Sequence, residues 1–154
     1  MNKINKTFKY PQDFDKKIKS VATLREESTE QIDNLFQDML EFSGTHEVDL
    51  WDWYKIGLEF HFYSSRLEQS IKAFLKSVEI AENLKGDDRK ELVLIYSDLG
   101  MVYEQMGNYS EALKVRELVL KEAQQLYSES DEKVIWYKRK LSELKDRIKA
   151  YSSL

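Results

Sequence analysis

One pattern of large and small residues occurs twice in this chain, in the same frame. The first copy reads W-x-x-I-G-x-x-F from Trp53, and the second reads Y-x-x-L-G-x-x-Y from Tyr96. The two glycines, Gly57 and Gly100, lie 43 residues apart. A fixed-period repeat constrains the fold more strongly than local propensity does, because each unit must pack against the next. The pattern therefore predicts repeated helix–turn–helix units.

The composition favours helices along the whole chain. Charged residues make up 34% of the 154 residues, and there are only five glycines and a single proline. A sustained alternation of apolar and polar residues, which is the signal of a strand, is missing. Because few residues interrupt a helix, we expect an all-α fold. The length is that of one domain with a substantial core.

The composition disfavours several classes of protein. Cysteine is absent, which excludes a disulfide framework and a cysteine metal site. The basic residues at the start of the chain are not followed by the apolar segment of a signal peptide. No apolar run approaches the ~18 residues of a membrane span. We therefore expect a cytoplasmic protein that does not bind a membrane.

The net charge of −4 is unevenly distributed along the chain. Residues 1–20 hold six lysines and two acids, and residues 133–154 hold seven basic residues and two acids. Residues 21–132 hold 24 acids and 11 bases. Basic ends suit an acidic partner, whereas an acidic body repels the phosphates of nucleic acid. The distribution therefore does not favour nucleic-acid binding.

The breaks between apolar patterns divide the chain into five predicted segments. Residues 1–11 are expected to be disordered or extended, and residues 12–44 to form a helical hairpin that acts as a divergent repeat or an N-terminal cap. The first repeat is 45–86, and the second is 87–129. A C-terminal capping helix occupies 130–154. Flanking segments of this kind are needed because stacked repeats cannot bury their apolar faces alone, and about three are required for stability.

The two copies of the pattern resemble the tetratricopeptide repeat (TPR) family over about residues 47–125. Small residues also recur in the second helix of each unit, Ser70 in the first and Ala112 in the second. The small residues belong where the two helices of a unit cross closely, because a larger side chain there would force the helices apart. The resemblance implies antiparallel helix pairs stacked as a short right-handed α-solenoid.

The spacing is similar to that of the long-period, kinesin-light-chain-like type of this family. The glycines recur after 43 residues and the small residues of the second helix after 42, against the usual period of about 34. Two departures from the family pattern stand out. The proline that usually ends a repeat is absent, and Arg116 occupies the place of the last large residue in the second helix of repeat two.

The resemblance implies that the first helix of each repeat lines a concave, partner-binding surface. The first helix of repeat one is apolar nearly all round, so something must cover the side that faces away from the core. The N-terminal hairpin, a bound protein or peptide, and a second subunit are the three possible covers. The candidate partner-binding residues are Trp51, Tyr54, Leu58, His61 and Phe62 in the first repeat and Leu94, Ser97, Met101, Glu104 and Gln105 in the second.

The sequence offers no pattern of catalytic residues. The two histidines, His46 and His61, do not match a metal-binding spacing, and no glycine-rich phosphate loop is present. We therefore expect neither an enzyme nor a metal or cofactor site. The predicted function is a non-catalytic protein–protein interaction module that binds through an apolar concave surface. Two alternatives remain open: a bacterial regulator of the Rap-like type that responds to a signal peptide, and a self-assembling homodimer.

Overall fold

The computed structural model describes residues 37–38, 40–41, 50–62 and 66–153, without the side chains of Glu59 and Phe62. These residues form five α-helices and no strand, which confirms the predicted all-α class. The predicted extended segment 1–11 lies outside the described residues. Of the predicted hairpin, only residues 37, 38, 40 and 41 are described, and all four are helical. The chain divides between Ser77 and Val78 into two compact units.

Helix α1 (Leu50–Phe62) of the first unit packs against helix α2 (Leu67–Ala81), which continues past the end of this unit at Ser77. The Ser70 hydroxyl donates a hydrogen bond to the carbonyl oxygen of Gly57 at 2.8 Å. Two turns later in α2, the Ser77 hydroxyl donates to the carbonyl oxygen of Leu50, the first residue of α1, at 2.7 Å. Residue numbers rise along one helix as they fall along the other, so the two helices are antiparallel.

The second unit contains a short 3-10 turn and three α-helices. The turn is Gly86–Arg89, and it leads into α3 (Lys90–Gln105). Helix α4 (Tyr109–Leu126) packs against α3, and helix α5 (Glu132–Ser152) packs against α4. The division of the chain into repeats and caps remains a prediction.

The sequence at the helix ends explains where α4 and α5 begin. Between α3 and α4, Gly107 has a φ of +76°, which is a left-handed conformation that glycine adopts without steric cost. The side chain of Asn108 then accepts a hydrogen bond from the backbone N–H of Glu111 at 3.3 Å. At the start of α5, the side chain of Asp131 accepts from the backbone N–H of Lys133 at 2.8 Å. Both residues are N-caps, which satisfy donors that the first helical turn leaves unpaired.

The apolar side of α5 holds this helix against the rest of the second unit. Val134, Leu141 and Leu144 are buried, and they lie on one face because they are separated by seven and three positions. Each such side chain contributes about 1.5–3 kcal/mol when it is fully buried. Half of the other positions of α5 are exposed and charged. No helix among the described residues is both long and apolar enough to cross a membrane.

Candidate functional site

The helix crossing of the first repeat is formed by Gly57 and the fully buried ring of Phe74. A Cβ atom on Gly57 would lie 2.6 Å from both Cδ1 and Cε1 of that ring. Since real side chains do not approach so closely, only glycine fits at this position. The structure confirms that the glycine of the repeated pattern marks a close contact between two helices.

The helix crossing of the second repeat is formed by Gly100 and Arg116. A Cβ atom on Gly100 would lie 3.2 Å from Nε of Arg116. The arginine is only 4% exposed, and its Nη2 donates to Oε2 of Glu104 at 2.7 Å. Its Nη1 lies 3.5 Å from the carbonyl oxygen of Ser97. A buried cation with a carboxylate partner therefore occupies the place that the phenylalanine ring has in the first repeat.

Helix α5 also reaches the polar cluster around Arg116, through Tyr137. Burial raises the pKa of the Tyr137 hydroxyl, and the neighbouring Tyr127 and Asp98 raise it further. Arg116 and a hydrogen bond with Ser97 act in the opposite direction on this pKa. Side chains from α3, α4 and α5 thus meet in one place, which fixes the three helices relative to one another.

A second ion pair ties the turn before α3 to α4. Nε of Arg89 donates to Oε2 of Glu122 at 3.0 Å, and this hydrogen bond lowers the pKa of the glutamate. Nη1 of the same arginine donates to the carbonyl oxygen of Leu84 at 3.1 Å. Nearby, the Tyr96 hydroxyl donates to Oε1 of Glu82 at 3.2 Å. Burial, together with the charge of Glu82, raises the pKa of Tyr96 to about 12.

The candidate residues of α1 differ in exposure. Trp51 is 38% exposed and contacts Tyr54 edge-to-face, with ring centroids 5.4 Å apart. Tyr54 is half-buried, and its ring centroid lies 5.6 Å from that of Phe74. Leu58 is half-buried and His61 is buried. The side chain of the remaining candidate in this helix, Phe62, lies outside the described part of the chain.

The candidate residues of α3 also separate into exposed and buried positions. Leu94 is 44% exposed, Gln105 is exposed and Met101 is half-buried. Ser97 is buried, and Glu104 is half-buried in its ion pair with Arg116. The exposed apolar candidates in α1 and α3 are therefore Trp51 and Leu94.

Trp136 in α5 continues this series, although it was not among the predicted residues. It lies 42 residues after Leu94, which itself lies 43 residues after Trp51. With the same offset of 42, the buried Leu99 and Val102 of α3 correspond to positions 141 and 144 of α5, which are buried leucines. Extending the repeat period into the last helix would have found the tryptophan from the sequence.

The surroundings of Trp136 hold its ring in place. Its ring contacts Tyr137 edge-to-face with centroids 5.3 Å apart. Nζ of Lys140 lies 5.2 Å from the tryptophan ring centroid, which is a cation–π distance. The ring is still 37% exposed. A large, partly exposed aromatic side chain with fixed neighbours suits contact with another apolar surface.

The described residues contain no group of three or more His, Cys, Asp and Glu side chains that could hold a metal ion. His61 is buried in α1, and His46 lies outside the part of the chain that the structure describes. The chemistry that the exposed positions do offer is apolar and aromatic contact.

Comparison with known proteins agrees with the helix pairs and the glycine contacts. Residues 59–121, from the last turn of α1 to most of α4, match the model of the family described as tetratricopeptide repeat. Searches of curated proteins and of solved structures gave no match. Repeats of this family typically bind other proteins and are generally non-catalytic. The match therefore supports the tetratricopeptide repeat family for residues 59–121.

Proposed function

We propose that this chain is a non-catalytic module that binds a protein or peptide through apolar side chains on the first helices of its repeats. The observation that carries the proposal is a series of three side chains at one repeat position. Trp51 in α1, Leu94 in α3 and Trp136 in α5 are all large, apolar and more than one-third exposed. Two of the three are tryptophans, and partly exposed tryptophans are more typical of protein-binding surfaces than the exposed leucines that also recur on the second helices, Leu75 and Leu118.

The two tryptophans have the properties of anchor residues in protein interfaces. Tryptophan is enriched among the residues that dominate binding energy, because it buries a large area with few rotatable bonds. Contacts with neighbouring rings restrict both side chains before a partner arrives: Tyr54 supports Trp51, and Tyr137 supports Trp136. Restricting them in advance lowers the entropy cost of binding.

Each of these exposed side chains favours a partner segment with an apolar residue that packs on it. An amphipathic helix presents such residues at intervals of three and four positions, and an extended peptide presents them at every second position. Lys140 beside Trp136 adds a positive charge to this surface. The proposed partner is therefore a peptide segment or protein surface with apolar anchors. An acidic side chain of the partner fits beside Trp136, where it would face Lys140.

The proposal is tested by affinity capture from a lysate of the source cells, with a triple variant of the proposed surface and a double variant as its control. The first variant replaces Trp51, Leu94 and Trp136 with serine. The control variant replaces Leu75 and Leu118 with serine, because these residues are 45% and 40% exposed on the second helices of the repeats. We expect the control to retain the same proteins as the wild type and the triple variant to lose them, with unchanged helicity by circular dichroism. Equal capture by all three proteins would contradict the proposal.

Two alternative functions use the same exposed side chains and are separated by simple measurements. A regulator that responds to a signal peptide would show a higher melting temperature with a short peptide at micromolar concentration. A self-assembling subunit would scatter light as a dimer at tens of micromolar, and the Trp51, Leu94 and Trp136 variant would scatter as a monomer. A monomeric wild type that captures a different protein supports the interaction module over both.

A further inference from the structure

One side of α5 is exposed where the matching side of α3 is buried. With the offset of 42 residues, Val93, Tyr96 and Gly100 of α3 correspond to positions 135, 138 and 142 of α5. All three residues of α3 are buried. Their counterparts in α5 are exposed, and Ile135 is the most exposed of the aliphatic residues, at 55%.

The difference follows from what lies beside each helix. In the second repeat, α4 packs on this side of α3 at Gly100, where it places the Arg116 guanidinium, and Tyr96 donates to Glu82 before the turn. Helix α5 is the last helix that the structure describes, and it packs on α4 through Val134, Leu141 and Leu144. The exposed side of α5 therefore corresponds to the side of α3 on which another helix packs.

The residues of this surface, here named the α5 stripe, follow one side of the helix. They recur at intervals of three and four positions, which keeps them on a single face over about 21 Å. The α5 stripe consists of Ile135, Lys138, Ser142, Lys145 and Lys149. Its charged members are all lysines.

The lysines of the α5 stripe are available to a partner. Lys145 and Lys149 form no ion pair with a described residue, and both are exposed. Lys138 pairs with Glu129 at 2.6 Å, but both side chains are about half exposed or more. An exposed pair of this kind contributes under about 1 kcal/mol, so a competing carboxylate can replace it.

The size of Ser142 makes a close approach possible. It occupies the position of Gly100, where the second repeat brings two helices into contact. A small residue between an exposed isoleucine and two lysines allows a helix to lie near the α5 backbone. The apolar contact would then form at Ile135, and ionic contacts would form on either side of Ser142.

We propose that the α5 stripe binds an acidic amphipathic helix of a partner protein. One apolar side chain of that helix packs on Ile135, and its carboxylates face Lys138, Lys145 and Lys149. The positive charge of the α5 stripe favours an acidic partner, since opposite charges both attract the helix and fix its register. A second copy of α5 would bring lysine against lysine. A membrane surface needs an apolar face along the whole helix, and the α5 stripe has one apolar residue.

This surface is separate from the one in the proposed function. Successive residues of a helix are rotated by about 100°, which places Trp136 some 140° away from the middle of the α5 stripe. A control with the same change of charge is available on the second helices of the repeats, where Lys72, Lys114 and Lys121 are exposed.

The proposal is tested by fluorescence anisotropy with a labelled 21-residue helical peptide that carries glutamates on one face beside a row of leucines. We expect Lys138→Glu/Lys145→Glu/Lys149→Glu to weaken binding at least tenfold and Ile135→Ser at least threefold. The control variant Lys72→Glu/Lys114→Glu/Lys121→Glu should retain affinity within threefold. Because all the changed residues of the α5 stripe are exposed, circular dichroism should show the wild-type helicity in every variant.

Three results would overturn the proposal. Equal losses in the two triple variants would mean that only the net charge matters. Unchanged affinity in Ile135→Ser would show that the peptide makes no apolar contact at Ile135, which rules out the specific docking of a helix. Tighter binding to vesicles with 30% phosphatidylserine or to duplex DNA than to the peptide would assign the α5 stripe to a different class of partner.

Discussion

The guanidinium of Arg116 lies against Gly100, with Nε 3.2 Å from the point where a Cβ atom on the glycine would sit. In the first repeat, the ring of Phe74 lies against Gly57 in the same way, at 2.6 Å. Both groups are flat, and both pack on a helix surface that has no side chain. In this chain a cation paired with a carboxylate therefore takes the place of an aromatic ring at the second helix crossing.

The two glycines are expected to respond differently to alanine. In Gly57→Ala the new methyl group meets the buried ring of Phe74, and overpacking of this kind costs about 1–3 kcal/mol of unfolding free energy. In Gly100→Ala the methyl group meets a flexible arginine, and the gain in helix propensity of about 1 kcal/mol offsets most of the clash. Urea unfolding of both variants measures the difference, and equal destabilisation would contradict this account of the two crossings.

Removing the carboxylate of Glu104 is expected to leave a buried cation without its counterion. We expect Glu104→Gln to lower the free energy of unfolding by about 2 kcal/mol, since the amide oxygen still accepts from Arg116 but no longer neutralises its charge. In the Arg116→Met background the same change should cost much less, because no buried charge remains. A double-mutant cycle in urea gives the coupling energy, and a value near zero would show that the pair does not stabilise the fold.

The ion pair between Arg89 and Glu122 predicts a loss of stability in acid. The hydrogen bond from Arg89 lowers the pKa of Glu122 in the folded state below its unfolded value. The pair therefore stabilises the protein above the unfolded pKa of about 4.5, and this contribution is lost as the pH falls through the folded pKa. We expect the difference in melting temperature between the wild type and Glu122→Gln to shrink from pH 7 to pH 3. A constant difference would rule out this origin.

Tyr96 predicts a loss of stability at high pH. Burial and the nearby Glu82 raise its pKa to about 12, so the folded protein holds the hydroxyl proton more tightly than the unfolded chain does. Its contribution is complete below the unfolded pKa of about 10 and is lost as the pH rises towards 12. Absorbance at 295 nm should show a late-titrating tyrosine that Tyr96→Phe removes. If the titration of the variant matched that of the wild type, the assignment would fail.

The helix pairs could be predicted from the sequence because their determinants are local or periodic. The repeated glycines predicted the two helix crossings, and the turn residues Gly107 and Asn108 predicted the start of α4. The period of 42–43 residues aligned the repeats without any knowledge of contacts. The family match draws on the same pattern, since the matched segment contains both residues of the second crossing, Gly100 and Arg116.

The details of the candidate site depend on contacts that periodicity does not specify. Arg116 was recognised as a departure from the family pattern, but its pairing with Glu104 depends on how two helices are rotated. Tyr54 was expected on the partner-binding side, and it is half-buried because its ring reaches Phe74. Trp136 was missed because the last helix was interpreted as a cap alone, although it keeps the repeat register of Leu94.

The central claim, that the first helices of the repeats contact a partner, is tested most directly by site-specific photo-crosslinking in the source cells. A photoreactive phenylalanine analogue replaces Leu94 in one protein and Leu118 in the other, two leucines of similar exposure on α3 and α4. We predict a discrete covalent adduct from position 94 and none from position 118. Adducts from position 118 alone, or equal adducts from both positions, would contradict the claim.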